Sequence, residues 1–84
     1  MIKVLFFASI REQLKASDLI IPFCEKTKTV AGLIDEVVKA HDSGSREILL
    51  ADNVVVAVNQ QIVGKDVNLF DGDEVAFFPP VTGG

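Results

Sequence analysis

Cysteine and histidine are nearly missing: one of each in 84 residues. A lone Cys24 cannot close an internal disulfide, so a stapled secreted scaffold is excluded and a reducing compartment fits. It sits in the run IIPFCE and reads as a packing residue rather than a reactive thiol. A lone His41 excludes a site built from several histidines, and with a single cysteine there is no pair for zinc. No Ser–His–Asp set can be assembled, and no glycine-rich phosphate loop is present. No apolar run reaches the roughly 18–20 residues that a membrane span needs. The opening MIKVLFFASIRE has too short an apolar part for a signal peptide, and Arg11 and Glu12 follow at once. A first strand and a cytoplasmic protein are expected, with no membrane partner. Positive charge is scarce too: 8 Lys and Arg against 12 Asp and Glu give a formal charge of -4. Without a basic cluster, nucleic acid is not an expected partner.

What is present suits one small globular domain over residues 1–84. Hydrophobic residues make up 49% and charged residues 24%, far from a disordered composition. Residues 2–8, IKVLFFA, are β-branched and aromatic and predict a strand. Residues 9–17 are polar, with room for a helical turn. Residues 18–25 predict a second strand, placed at an edge because Pro22 cannot donate to a ladder. Val30, Leu33, Ile34, Val37, Val38 and His41 follow helical spacing and form one apolar face. Thr29 is the candidate N-cap and Gly44 the candidate stop. Gly32 inside this helix costs about 1 kcal/mol relative to alanine, so tertiary packing must hold it. A short helix over 45–51, a strand over 53–59, a turn at Gln60–Gln61, a weak return strand over 61–63, a turn at Asp71–Gly72 and a last strand over 73–78 complete the reading. His41 belongs at the helix end, where partial positive charge is favoured. Asp71, Asp73 and Glu74 read as a solvated acidic turn, too short for a calcium loop.

The order strand, strand, helix, strand, short strand, strand predicts an α+β fold, a mixed sheet with one main helix packed on one face. If the first and last strands lie side by side at its centre, this is the β-grasp of ubiquitin; element order leaves that pairing open. Strand residues alternate faces. Ile2, Val4, Phe6, Val54, Val56, Val58, Val75 and Phe77 are assigned to the helix side. Leu5, Phe7, Val55, Ala57 and Phe78 then fall on the opposite face. Such an apolar patch with charged edges marks an interface, or a surface that a loop folds over.

The sequence finishes FFPPVTGG, residues 77–84. Without a Cβ, Gly83 and Gly84 make a thin strip of backbone that can enter a narrow channel. Pro79 and Pro80 favour extension and push that strip away from the body, so residues 79–84 are expected to form a flexible tail. The reactive group at its tip is the Gly84 carboxylate. A carboxylate is a poor acyl donor; an acyl-adenylate gives it a good leaving group, which a thiol or sulfide can displace.

KVLFFASIRE, TVAGLIDEV, VVVAVNQQIV and above all LFDGDEVAFFPPVTGG resemble the small, sulfur-carrying subunit of molybdopterin synthase, the MoaD family. The likeness covers nearly the whole chain and is specific from Asp71 onward; residues 12–28 and 39–52 are generic. The resemblance implies a ubiquitin-like β-grasp fold. It implies that Gly84 is adenylated by an adenylyltransferase resembling the ubiquitin-activating enzymes, which uses ATP and magnesium, and is then thiocarboxylated with the help of a sulfur donor system. No cofactor is bound permanently. The tail would enter a large subunit, two large and two small subunits forming the complex, and its sulfur would go to cyclic pyranopterin monophosphate. By position, Gly84 bears the sulfur and Gly83 is the neck. Leu5, Phe7 and Phe78 dock on the partner, Arg11 makes a polar contact at the rim, and Pro79, Pro80, Val81 and Thr82 lie along the entry path. The small subunit is a sulfur-donating co-substrate without turnover of its own. A thiazole-type sulfur carrier, a ubiquitin-like modifier and a plain binding module are the alternatives.

Overall fold

The computed structural model describes residues 1–41, 45–51 and 53–79. Among these, five strands form one mixed sheet: β1 (Ile2–Phe6), β2 (Asp18–Ile21), β3 (Val55–Val58), β4 (Gln61–Val63) and β5 (Glu74–Phe78), in the order β2-β1-β5-β3-β4. β1 and β5, the chain's first and last strands, are parallel neighbours at the centre, and the other pairings are antiparallel. That central pairing is what element order left open, and it makes the fold a β-grasp. β2 is an edge strand, as Pro22 suggested, though it ends at Ile21, before the proline.

The main helix, α2 (Val30–His41), covers one face. Val30, Leu33, Ile34 and Val37 are fully buried against Ile2, Val4, Phe6, Val56, Val75 and Phe77, so the predicted inward sets of helix and strands meet. Phe6 and Phe77 lie in register and stack with centroids 6.0 Å apart. The helix N-terminus is sealed by the chain itself. Val30 and Ala31 donate their N–H groups to the carbonyls of Val67 and Lys65, at 3.2 and 3.0 Å. Gly32 N–H donates to Thr29 Oγ1 at 3.1 Å, the N-cap bond expected of Thr29. These bonds satisfy donors that a helix start otherwise leaves open.

Gly32 has a second role. A 3-10 turn at Glu25–Thr27 crosses so close that a Cβ on residue 32 would lie 2.1 Å from the Lys26 carbonyl oxygen. The glycine is there for backbone contact, and the intrinsic helix cost is the consequence. This turn is held by Thr27, whose buried hydroxyl accepts from Cys24 N–H at 2.9 Å.

Several expectations are corrected. Residues 22–25 leave the sheet to start the 3-10 turn, so Cys24 is exposed rather than packed. Residues 9–17 hold more than one turn: α1 (Ala8–Leu14) buries Ile10 and Leu14, four residues apart on one face. The β3–β4 turn is Asn59–Gln60, both with positive φ (50° and 72°), and Gln61 already pairs with Val58. That is the geometry of a two-residue hairpin turn whose twist matches the strands. The short second helix is α3 (Ser45–Leu50), and Leu49 anchors it in the core. His41 ends α2 as expected, where its Nε2–H donates to the Leu14 carbonyl and ties α2 to the end of α1. Gly44 lies outside the described residues.

Candidate functional site

Among the described residues, the sheet face away from α2 carries no helix. β1 and β5 run in the same direction, so they deliver Leu5 and Phe7 from one strand beside Ala76 and Phe78 from the other. β3 adds Val55 opposite Phe78 and Ala57 opposite Ala76; β4 adds Ile62 opposite Ala57. Together these side chains line an open groove of about 470 Å³, with Gln60 and Glu74 at its rim. The patch predicted from alternation is therefore real, and no described segment folds over it.

Its two aromatic residues are ordered by each other. The rings of Phe7 and Phe78 stack face to face, with centroids 4.6 Å apart and planes within 5°. The backbone holds them in place. Phe7 N–H donates to the Phe77 carbonyl at 3.1 Å, and the Phe7 carbonyl accepts from Ile10 and Arg11 at the start of α1. Immediately after Phe7 the chain turns at Ala8, with φ of 51°, a conformation uncommon for a residue with a Cβ. The sharp turn sends α1 away from the groove and leaves Phe7 37% exposed.

Leu5, Phe7 and Phe78 are thus brought together, as expected of docking residues. Arg11 is not in the groove. It is exposed on α1, one turn beyond Phe7, where a cation near the helix end faces solvent. Pro79 follows Phe78 directly and lines a different cleft, between α1 and α3. Pro80, Val81, Thr82, Gly83 and Gly84 lie outside the described residues. Sequence reading left Ile62, Gln60 and Glu74 out of the docking set. Ile62 is the most exposed large apolar side chain among the described residues, at 78%. Its signal was available: in QIV the middle residue points away from its neighbours, toward the face that carries Ala57.

The acidic turn is braced rather than merely solvated. Asp73 accepts from Phe70 N–H and from the Asn59 side-chain amide, both at 2.9 Å, while the Asn59 side-chain oxygen accepts from Glu74 N–H at 3.0 Å. Asp71 pairs with the terminal ammonium of Met1. These bonds lock the β3–β4 turn to the start of β5, so the central strand that leads to Phe78 is held at its far end.

Two curated relatives are both named molybdopterin synthase sulfur carrier subunit. The one from Escherichia coli is 45% identical over 87 residues and the one from Haemophilus influenzae 32% over 84, each alignment covering all of both chains. Among solved structures, SAMP1 from Haloferax volcanii superposes with a TM-score of 0.81 at 27% identity, over 99% of this chain and 98% of that one. No described helix is long and apolar enough to cross a membrane. Residues 4–84 match the ThiS family, and with full-length relatives at these identities the chain belongs to that family.

Proposed function

We propose that this chain is the sulfur carrier of a molybdopterin synthase, and that Gly84 carries the sulfur. The observation that carries this reading is the placement of Phe78. The same residue completes the stacked pair in the apolar groove and stands at the root of the PPVTGG tail. A partner that covers the groove therefore holds the tail by its base. The names and full coverage of the two curated relatives support the choice of pathway.

The chemistry follows from the Gly84 carboxylate. ATP, with magnesium on the activating enzyme, converts it to an acyl-adenylate and releases pyrophosphate. Hydrosulfide supplied by the donor system attacks the carbonyl carbon and expels AMP, which leaves a thiocarboxylate. In the large subunit that sulfur attacks a carbon of the pterin precursor and displaces an oxygen substituent, which joins Gly84 to the precursor as a thioester. Water then releases the acyl group and restores the carboxylate, ready for another cycle. Two sulfurs per dithiolene require two such deliveries, which fits a complex of two large and two small subunits. This chain binds, presents the tail and excludes water from the docking face, and the pocket that binds the pterin precursor belongs to the partner. Cytoplasmic placement goes with this role, since ATP and the pterin precursor are supplied there.

Intact mass after co-expression with an activating enzyme tests the reading. Replacement of one oxygen by sulfur, on a fragment ending at Gly84, is the expected result. Attachment to lysines of other proteins would favour a modifier instead, and an unchanged mass would leave only a binding module. A reconstituted reaction with the large subunit then separates the molybdopterin pathway from a thiazole-type one.

A further inference from the structure

The two residues of the β3–β4 turn use their side-chain amides differently. Asn59 and Gln60 both have left-handed backbone, with φ of 50° and 72°. The Asn59 amide is engaged within the chain: it donates to Asp73 and accepts from Glu74 N–H. The Gln60 amide has no hydrogen-bond partner among the described residues. It is exposed and lines the apolar groove together with Glu74. Its backbone makes the residue type harder still to explain by folding. The second position of such a turn suits glycine, which meets no steric penalty there, whereas a residue with a Cβ does. The left-handed residue of the Asp71–Gly72 turn is indeed a glycine, with φ of 95°. Gln60 therefore keeps a side chain where the turn would be less strained without one, and that side chain borders the docking face.

We propose that Gln60 is a specificity-determining contact of the docking face, and that its amide pairs with an amide group, backbone or side chain, of the large subunit. The inference rests on the sulfur-carrier reading above. Apolar contact is non-directional and admits any surface of fitting shape. The Gln60 amide adds an N–H donor and a carbonyl acceptor, on a turn that the Asn59 bonds hold in place. A partner that answers both is favoured, and one that leaves them buried and unpaired is penalised. The position adds direction. Glu74, which lines the same end of the groove, stands four residues before Phe78 in β5, about 13 Å at the rise of a strand. The aromatic pair at one end and the amide at the other together fix how the partner lies along the groove, where the aromatic pair alone would let it turn.

The test compares Gln60→Gly and Gln60→Met in the full-length chain, by melting temperature and by calorimetric titration with the large subunit. Gln60→Gly removes the side chain and the backbone penalty together, so its melting temperature should rise by about 2–4 °C. Gln60→Met keeps the length, the apolar stem and the Cβ, so its melting temperature should stay near that of wild type. Both variants should bind the large subunit about three- to tenfold more weakly, the range of one net hydrogen bond. A residue that acted only through the fold would lower stability and affinity together; a higher melting temperature with weaker binding is the signature of a contact. Wild-type affinity in Gln60→Met would show that the residue contributes only apolar area, and wild-type affinity in Gln60→Gly that it contributes nothing. Either result overturns the proposal and leaves the carrier reading standing. A lower melting temperature for Gln60→Gly would show that the side chain serves the turn, and the proposal fails then as well. A wild-type chain that does not bind the large subunit would overturn both readings.

Discussion

Two phenylalanine pairs stand one residue apart at the C-terminal ends of β1 and β5 and have opposite fates. Phe6 and Phe77 face α2 and are 2% and 0% exposed. Phe7 and Phe78 face the other way, and Phe7 is 37% exposed. The inner rings are 6.0 Å apart and inclined by 27°; the outer ones are 4.6 Å apart and nearly parallel. The inner pair is fitted among aliphatic neighbours that dictate its tilt. No described segment covers the outer pair, and its two rings stack on each other. Stability is therefore vested in one face, while the other is left to the proposed docking, and alternation along the strands sets adjacent residues to the two tasks.

The largest effect should come from beyond both pairs. Adding one alanine after Gly84 moves the carboxylate about 3.3–3.6 Å along an extended chain. Positioning losses of that size exceed a hundredfold. Thiocarboxylate formation or sulfur transfer should fail in a reconstituted assay, while melting temperature and partner binding stay as they are. Normal molybdopterin formation by the extended chain would remove the tail from the mechanism.

Next come substitutions that separate the faces. Phe77→Ala should cost about 3–5 kcal/mol in denaturant unfolding, from lost burial and the cavity left behind. Leu33→Ala, its counterpart on α2, should cost about 2–5 kcal/mol. For a domain with a total of about 5–15 kcal/mol, either is severe. Phe78→Glu should do the reverse. It should fold with almost normal stability and lose about 2 kcal/mol or more of affinity for the large subunit, because an unpaired carboxylate would be desolvated at the centre of the interface. Co-elution of Phe78→Glu with the large subunit, equal to wild type in size-exclusion chromatography, would show that recognition lies elsewhere.

Alternation made these faces legible in advance. Lys3 and Glu74 mark the wet side of β1 and β5, and the six-position apolar spacing in α2 marks its partner. Exposure was less legible than direction. Ala57 and Ala76 point outward yet are only 6% and 8% exposed, because small side chains sink between Leu5, Ile62 and Phe78. The parallel β1–β5 pairing was implied by the family resemblance alone, since it depends on contacts about seventy residues apart that no local pattern encodes. Cys24 was misread because IIPFCE resembles a strand locally. The deciding contact is the close pass of the Glu25–Thr27 turn under Gly32, and that is tertiary. The same contact makes a sharp prediction. By helix propensity Gly32→Ala should gain about 1 kcal/mol. With the Lys26 oxygen 2.1 Å from the new Cβ it should instead lose about 1–3 kcal/mol, as overpacked sites do. A raised melting temperature for Gly32→Ala would mean that the turn yields freely.

The smallest effect probes the outer pair alone. Phe7→Leu keeps an apolar side chain on the groove and removes the stack. Stacked pairs contribute about 0.5–1.5 kcal/mol beyond their buried area, and on an open face the lower end is expected. In a domain of this size about 0.5 kcal/mol shifts the melting temperature by about 2–4 °C. A cycle of Phe7→Leu, Phe78→Leu and the double substitution isolates the contact from general loss of apolar surface. The two single losses should exceed what the double loses when summed, since either one alone already abolishes the stack. The same coupling should appear in partner affinity, because two rings already held as one plate need no further ordering on binding. Strict additivity in both measurements would mean that the rings merely lie alongside each other, and that the partner, rather than the free chain, organises the docking face.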